Sequence, residues 1–243
     1  MSILRVSICG LIIGWVFTQP ILLAEQAKTH DHPKPQVLAP GYADLEFTPP
    51  KIGTYQLPPM GTAGDGEVLD TSGRAVSLDK YLGDKIVVMS FIYTTCGDVN
   101  GCPLATHVLR GLQDRILEQS ELKDQVRLLS ISFDPGHDTP AVLRDYSEYF
   151  KNDKFDWQFL TTASDRELTP LLDTYGQWVI KDYDEQGNYL GTMSHVLRVF
   201  LIDQKKRIRN IYSVSFLHVD TVTNDILTLL LETQKKASVR QPS

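Results

Sequence analysis

The sequence predicts an α/β fold in which a mixed central sheet is flanked by helices. Two observations support this prediction. Apolar runs of strand length at 85–93 and 126–133 alternate with segments whose apolar residues recur at helical spacing. Two further strand-like runs near the C-terminus are separated by a polar turn and followed by an apolar helical segment. This alternation is typical of a sheet that contains parallel strands.

The first elements are a small N-terminal hairpin, a central strand and a helix. A strand-like stretch at 67–70 lies between turn residues at 64–66 and 72–73. The run KIVVMSFIY at 85–93 predicts a strand buried on both faces, and it ends at the loop that holds Cys96. A helix follows from Pro103, because proline fits the first helical turn.

The middle of the chain repeats this order. The run at 126–133 predicts a second central strand, and Asp138-Thr139-Pro140 predicts the start of a helix that continues to about Lys151. A short strand is predicted at 157–160. Ser164 and Glu167 have capping-box spacing, and Pro170 predicts a break or restart near Thr169.

The C-terminal part predicts an antiparallel β-hairpin from 196–203 and 207–212, then a closing helix from about Asp220. The complete layout is that of an elaborated thioredoxin-like fold. In such a sheet we expect the site at the carboxyl end of the central strand, where strand gives way to helix. Cys96 and Cys102 occur there.

The chain divides into four predicted regions. Residues 1–24, with Arg5 followed by an apolar run, predict a signal peptide or an N-terminal membrane anchor. Either places the domain in the periplasm or another extracytoplasmic compartment. Residues 25–50 are rich in proline and predict a flexible linker, 51–235 form the thioredoxin-like domain, and 236–243 form a tail.

Composition limits the classes of partner. The 243 residues carry a formal net charge of -6 and are 42% hydrophobic, which is typical of a globular protein. An acidic chain without clustered Lys and Arg argues against nucleic acid as a partner.

The cysteines are the first candidate site residues. Cys9 lies in the predicted leader, which leaves Cys96 and Cys102. In an oxidising compartment such a pair is a disulfide, a redox couple or a metal site. Cys102 has the helix N-terminal position that favours a thiolate, and glycines in the loop let the chain turn so that the sulfurs meet.

His195 is the third candidate, because the loop entering the 196–203 strand faces the cysteine loop in a thioredoxin-type sheet. Soft thiolates select Cu(I), and imidazole suits both oxidation states of copper, so this set of donors would hold Cu(I) or Cu(II). The other chemistry-bearing side chains are interpreted as structural. These are the packed or solvated histidines His107, His137 and His218, the core methionines Met60, Met89 and Met193, the tryptophans Trp157 and Trp178 at the sheet edge, and Asp134 and Asp138 in an Asp-Pro turn and a helix cap.

Several motifs in the same order resemble the Sco (SenC) family of copper chaperones. They are Tyr-Thr-Thr-Cys at 93–96, Cys-Pro at 102–103, Ser-Phe-Asp-Pro at 132–135, Asp-Thr-Pro at 138–140 and the distant His195, and they span roughly residues 50–232. The resemblance implies copper bound by Cys96, Cys102 and His195. It also implies delivery of copper to a cytochrome oxidase subunit that accepts it at a dinuclear copper site.

Two departures from the family pattern favour an alternative. The loop is Cys-x5-Cys-Pro, as if Asn100-Gly101 were inserted into the family's three-residue spacer, and Ser194 stands where the family usually has aspartate. We expect a longer loop to be more flexible and to hold metal geometry less firmly. The alternative is an extracytoplasmic thiol:disulfide oxidoreductase that acts on the cysteines of a partner protein without bound metal.

Overall fold

The computed structural model describes residues 37–239, and the predicted leader or anchor lies outside this range. The strands in it are β1 (Gly61–Thr62), β2 (Glu67–Asp70), β3 (Ala75–Ser77), β4 (Ile86–Ile92), β5 (Val126–Ser132), β6 (Trp157–Thr161), β7 (Val179–Tyr183), β8 (Tyr189–His195), β9 (Val199–Ile202) and β10 (Arg207–Tyr212). The helices are α1 (Cys102–Leu117), α2 (Ser120–Lys123), α3 (Pro140–Glu148), α4 (Asp165–Thr174) and α5 (Val219–Val239).

Eight strands form one mixed sheet in the order β1-β10-β9-β4-β5-β6-β2-β3. β4 pairs in parallel with β5 and antiparallel with β9, and β5 pairs in parallel with β6. Every residue of β4 and β5 is buried, as the continuous apolar runs predict. The thioredoxin-like α/β fold and the hairpins β2–β3 and β9–β10 are therefore confirmed.

Helix α1 positions the second cysteine. Its apolar stripe, which includes Leu104, Val108 and Leu112, is completely buried. Burial of each such leucine contributes about 1.5–3 kcal/mol relative to exposure. Pro103 occupies the first turn, so the helix begins at Cys102, directly beside the carboxyl end of the central strand.

The predicted break near Thr169 is wrong. α4 continues through Pro170, with the Ser164 hydroxyl accepting from the backbone N–H of Arg166 at its start. The side chain of Ser164 also contacts Glu167, as the capping-box spacing predicts. Burial of the leucines on one face of this helix outweighs the single backbone hydrogen bond that proline removes.

A two-stranded antiparallel ribbon, β7–β8, separates α4 from β9 and has no counterpart in the predicted elements. As a result, β9 begins at Val199, three residues later than expected.

Trp178, immediately before the ribbon, is 74% exposed, so its predicted packing at the sheet edge is wrong, whereas Trp157 is buried and stacks on Phe159. Met60 is exposed, so its interpretation as a core residue is also wrong; Met89 is buried.

The described part of the predicted linker lies against the domain. Pro40–Tyr42 form a 3₁₀ turn, and a Cβ at buried Gly41 would collide with the carbonyl oxygen of Leu217. At the other end of the domain, α5 continues to Val239, past the predicted domain end at residue 235. Within residues 37–239, no helix is both long and apolar enough to cross a membrane.

Candidate metal centre

Two neighbouring strands bring the candidate residues to one edge of the sheet. β4 ends at Ile92, four residues before Cys96, and β9 begins at Val199, four residues after His195. These strands are antiparallel, with Val199 paired to Ser90, so the start of β9 lies beside the end of β4. The strand order therefore places both chain segments over the N-terminus of α1.

The three candidate side chains meet at this edge. The sulfurs of Cys96 and Cys102 and a ring nitrogen of His195 all lie within 4.8 Å of one another. The Cys102 sulfur is 3.5 Å from Nε2 of His195. Cys102 is buried, whereas Cys96 and His195 are half-buried, and both cysteines are free thiols. The cluster is thus partly open to solvent at Cys96 and His195.

The tautomer of His195 is fixed by its second nitrogen. Nδ1 lies 3.2 Å from the carbonyl oxygen of Met193, which can only accept a hydrogen bond. Nδ1 therefore carries the proton, and the lone pair of neutral imidazole is on Nε2, facing the sulfurs. This is the outer contact that orients a metal-binding histidine.

Aromatic rings hold the imidazole in place. Phe133 lies 4.8 Å from the His195 ring, and Tyr93 meets it edge-on at 5.8 Å between centroids. Both aromatic residues are buried and contact each other. The motifs at 93–96 and 132–135 contain these residues, but their contact with His195 depends on tertiary structure and was not predicted.

The two thiols differ strongly in acidity. A hydrogen bond from the Cys102 thiol, together with the Cys102 backbone N–H and the Tyr93 hydroxyl, lowers the pKa of Cys96 to about 5 although burial opposes this. The same hydrogen bond, followed by burial and the charge of Cys96, raises the pKa of Cys102. Of the two thiols, Cys96 thus ionises more readily, and the helix N-terminus acts on it through the Cys102 backbone N–H.

A buried carboxylate connects the cysteine loop to the neighbouring strand. Asp138 is completely buried and accepts hydrogen bonds from the Thr94 N–H at 3.0 Å, the Thr94 hydroxyl at 2.5 Å and the Ser132 hydroxyl at 2.6 Å. His137 Nδ1 lies 2.9 Å from the same carboxylate. Asp138 is not a helix cap, because Thr139 accepts from the first turn of α3 in its place. Asp138 instead fixes the position of Thr94, which lies two residues before Cys96.

The other predicted structural residues take the following places. Asp134 forms the expected turn, since its carbonyl accepts from the backbone N–H of Asp138, and burial followed by the Asp138 charge raises its pKa. His218 is buried and bonds the carbonyl of Ala43, as a structural histidine does. His107 is exposed on α1. Ser194 donates to Asp182 across the β7–β8 ribbon at 3.0 Å.

The donors suit a soft metal ion. One thiolate, a second thiol that becomes a thiolate when metal displaces its proton, and a neutral imidazole provide two sulfurs and one nitrogen. This combination fits Cu(I) and tolerates Cu(II), and no carboxylate belongs to the cluster in the described residues. The same two sulfurs can form a disulfide with a short closed loop, so the site also has the parts of a redox pair.

The fold and the cluster define the class: a thioredoxin-like protein with a cysteine pair and a histidine at the carboxyl end of its central strand. Residues 58–231 match the family model SCO1/SenC. The chain belongs to the SCO1/SenC family.

Known relatives are similar over part of the folded domain. An SCO2-like protein of Rickettsia prowazekii is 29% identical over 148 residues, which are 59% of this chain and 65% of the relative. The match therefore spans slightly less than two thirds of that relative's length. The SCO1 protein homolog of Bacillus subtilis is 30% identical over 96 residues, covering 40% of this chain and 47% of the relative.

Solved structures share the fold. Bradyrhizobium japonicum ScoI with copper bound is 25% identical with a TM-score of 0.55, covering 68% of this chain and 97% of that chain. A SCO1/SenC family lipoprotein of Bacillus anthracis is 25% identical with a TM-score of 0.61, covering 72% and 99%. BsSco, described with a disulfide switch and as a member of the Sco family of cytochrome c oxidase assembly proteins, is 22% identical with a TM-score of 0.57, covering 72% and 97%, and shows the fold alone.

Proposed function

We propose that this protein binds copper through Cys96, Cys102 and His195 and delivers it to the copper site of a respiratory oxidase. The observation that carries the proposal is the convergence of two sulfurs and an imidazole nitrogen within 4.8 Å, with the nitrogen lone pair held toward the sulfurs. Copper bound to the ScoI relative supports the cargo. Membership of the SCO1/SenC family, one member of which is described as a cytochrome c oxidase assembly protein, supports the acceptor.

Transfer would proceed by exchange of ligands. A thiolate of the acceptor approaches the exposed side of the site and replaces Cys96, the more accessible of the two sulfurs, before Cys102 and His195 release the ion. No electron is transferred in this exchange, so both cysteines must be reduced when loading begins.

The test is direct transfer. The protein is loaded with one equivalent of Cu(I), mixed anaerobically with the reduced apo copper domain of an oxidase subunit, separated by size, and both fractions are assayed for copper. The proposal predicts that wild type retains one equivalent through desalting and passes it to the acceptor, whereas a Cys96→Ser variant retains less copper through desalting and therefore delivers less. Equal copper in the acceptor fraction with wild type, with Cys96→Ser and with free Cu(I)-glutathione would contradict it.

We also propose that the domain works outside the cytoplasm, after export through residues 1–24. The apolar leader-like pattern supports this. Fractionation of cells producing the full chain should recover it with periplasmic or outward-facing membrane markers, and deletion of residues 1–24 should retain it in the cytoplasm. Identical distribution of both forms would contradict export.

The second candidate function is exchange of disulfides with a partner protein, favoured by the low pKa of half-exposed Cys96 beside buried Cys102. The Cys96 thiolate would attack a partner disulfide and release one partner thiolate. Cys102 would then displace the partner's other sulfur from the mixed disulfide, passing its proton to the leaving thiolate. The partner leaves with one thiol and one thiolate, which takes its proton from water, and Cys96–Cys102 becomes a disulfide. Reduction of a model disulfide that survives His195→Ala would support this function.

A further inference from the structure

The long loop between the two cysteines is bound by a distant part of the chain, residues 37–43, here called the strap. The side-chain amide of Asn100 lies between two backbone groups of the strap. Its Oδ1 accepts from the Ala39 N–H at 2.8 Å, and its Nδ2 donates to the carbonyl oxygen of Val37 at 2.8 Å. The Asn100 side chain thus satisfies one backbone donor and one backbone acceptor of the strap, as the backbone of a neighbouring β-strand would.

A second contact lies one residue earlier in the loop. The hydroxyl of Tyr42 donates to the carbonyl oxygen of Val99 at 2.5 Å. Within the loop, the Asp98 carboxylate accepts from the Asn100 N–H at 3.0 Å, and the Asp98 carbonyl accepts from the Gly101 N–H at 2.9 Å. The half of the loop that leads into Cys102 is therefore fastened both internally and to the strap.

The strap is itself fixed to the body of the domain. Ala39 and Gly41 are buried, and Gly41 fits against Leu104 of α1 where a side chain would collide. His218 Nε2 lies 2.9 Å from the Ala43 carbonyl oxygen. Movement of the loop away from the body would thus break hydrogen bonds to a segment that cannot follow it.

We propose that Asn100 and Tyr42 are positioning residues that, through the strap, hold the cysteine loop in the arrangement that brings Cys96 to Cys102 and His195. This inference rests on the proposed function. Asn100 lies within the five-residue spacer between the cysteines, and its side chain supplies two of the bonds that restrain this loop. The longer loop is therefore restrained rather than free.

The physical consequence is preorganisation. A loose loop must be ordered when copper binds, and each ordered backbone residue costs about 1–2 kcal/mol of conformational entropy. A loop that is already held loses less entropy on binding, so the affinity is higher. Loss of the two Asn100 bonds should weaken Cu(I) binding about tenfold, and loss of the Tyr42 hydroxyl about threefold.

The experiment compares Asn100→Ala and Tyr42→Phe in the full chain carrying Cys9→Ser. Asn188→Ala and Tyr55→Phe are matched controls, because they remove an amide bonded to Asp184 in the β7–β8 turn and a hydroxyl bonded to Asp225. Two quantities are measured on reduced protein: the Cu(I) dissociation constant by chelator competition, and, without copper, hydrogen exchange of the amides at 97–101.

For Asn100→Ala, the proposal predicts weaker Cu(I) binding and hydrogen exchange at 97–101 that is at least about tenfold faster than in wild type. Both controls should stay within about twofold of wild type in both quantities. Unchanged affinity and exchange, or equal losses in the controls, would overturn it. If wild type binds no Cu(I), the proposed function fails, and hydrogen exchange at 97–101 alone tests the positioning role. Faster hydrogen exchange in Asn100→Ala then supports restraint of the loop by the strap, and unchanged hydrogen exchange overturns it. If Asn100→Ala does not fold, Tyr42→Phe decides: Cu(I) binding about threefold weaker with faster hydrogen exchange at 97–101 supports the proposal, and no change in either overturns it.

Discussion

The sulfur of Cys102 lies 3.5 Å from Nε2 of His195, although 93 positions separate the two residues in the chain. The contact exists because β9 runs antiparallel to β4, which returns the chain to the edge where the cysteine loop begins. The Met193 carbonyl on the other side of the imidazole directs its lone pair to the sulfur. This contact adds an imidazole donor to the sulfur pair, a group that copper binding uses and that thiol exchange does not require.

Replacement of His195 should separate the oxidation states of copper. His195→Ala removes a ligand and should weaken binding of both ions by about tenfold or more. His195→Met supplies a soft thioether, so Cu(I) binding should largely recover while Cu(II) binding does not. Competition titrations with each ion measure this. Equal affinity of all three proteins for Cu(I) and Cu(II) would exclude the imidazole as a ligand.

Cys96 should be a thiolate at neutral pH. Because its pKa is lowered to about 5, the rate of alkylation by iodoacetamide should rise with pH through a midpoint near 5 and be level by pH 7. Cys102→Ala removes the main hydrogen-bond donor and should move the midpoint upward. Mass spectrometry of the modified peptide in the Cys9→Ser chain identifies the thiol. A wild-type midpoint at the ordinary thiol value of about 8.5 contradicts the prediction.

Loss of the Asp138 carboxylate should destabilise the fold. Asp138→Asn replaces an acceptor by an amide whose N–H groups cannot serve the Thr94 and Ser132 donors, leaving at least one of them unpaired in a buried site. We expect the free energy of unfolding to fall by about 2–3 kcal/mol in urea titrations. The control Asp145→Asn, at an exposed residue of α3, should change it by less than about 0.5 kcal/mol. Similar values for both variants would show that the network contributes little.

An aspartate at position 194, which the family resemblance implies, should not improve this site. Ser194 donates to Asp182, so Ser194→Asp would place two carboxylates together on the β7–β8 ribbon. We expect a loss of stability of up to about 1 kcal/mol at low salt and no gain in Cu(I) affinity. The exchange double variant Asp182→Ser, Ser194→Asp should recover the stability. A Ser194→Asp protein that binds Cu(I) more tightly than wild type would contradict this interpretation.

The central sheet was predictable because burial on both faces leaves a continuous apolar run. β4 and β5 lie within the predicted ranges to about one residue at each end. The β7–β8 ribbon was missed because its residues are mostly exposed and give no burial pattern. The sequence did contain one indication of a turn there, Gln186-Gly187-Asn188. In the structure, the Asp184 carboxylate accepts hydrogen bonds from the backbone N–H groups of Gln186 and Asn188.

The three site residues were predicted from motif order and strand direction, and the structure brings them together; their role as copper ligands stays a prediction. What could not be predicted is the chemistry between them. The acidity of Cys96 depends on which thiol donates to the other, and the tautomer of His195 depends on the Met193 carbonyl. The strap contacts with Asn100 join residues 61 and 63 positions apart, a separation at which no local pattern operates.

Copper binding by Cys96, Cys102 and His195 is tested most directly by an anaerobic Cu(I) competition titration of the fully reduced full chain carrying Cys9→Ser. His195→Ala and the double variant Cys96→Ala, Cys102→Ala are titrated beside it. We predict one tightly bound equivalent in the reference protein, weaker binding in His195→Ala and no tight binding in the double variant. A reference protein that holds Cu(I) no more tightly than the double variant would contradict the assignment of this cluster as a copper site.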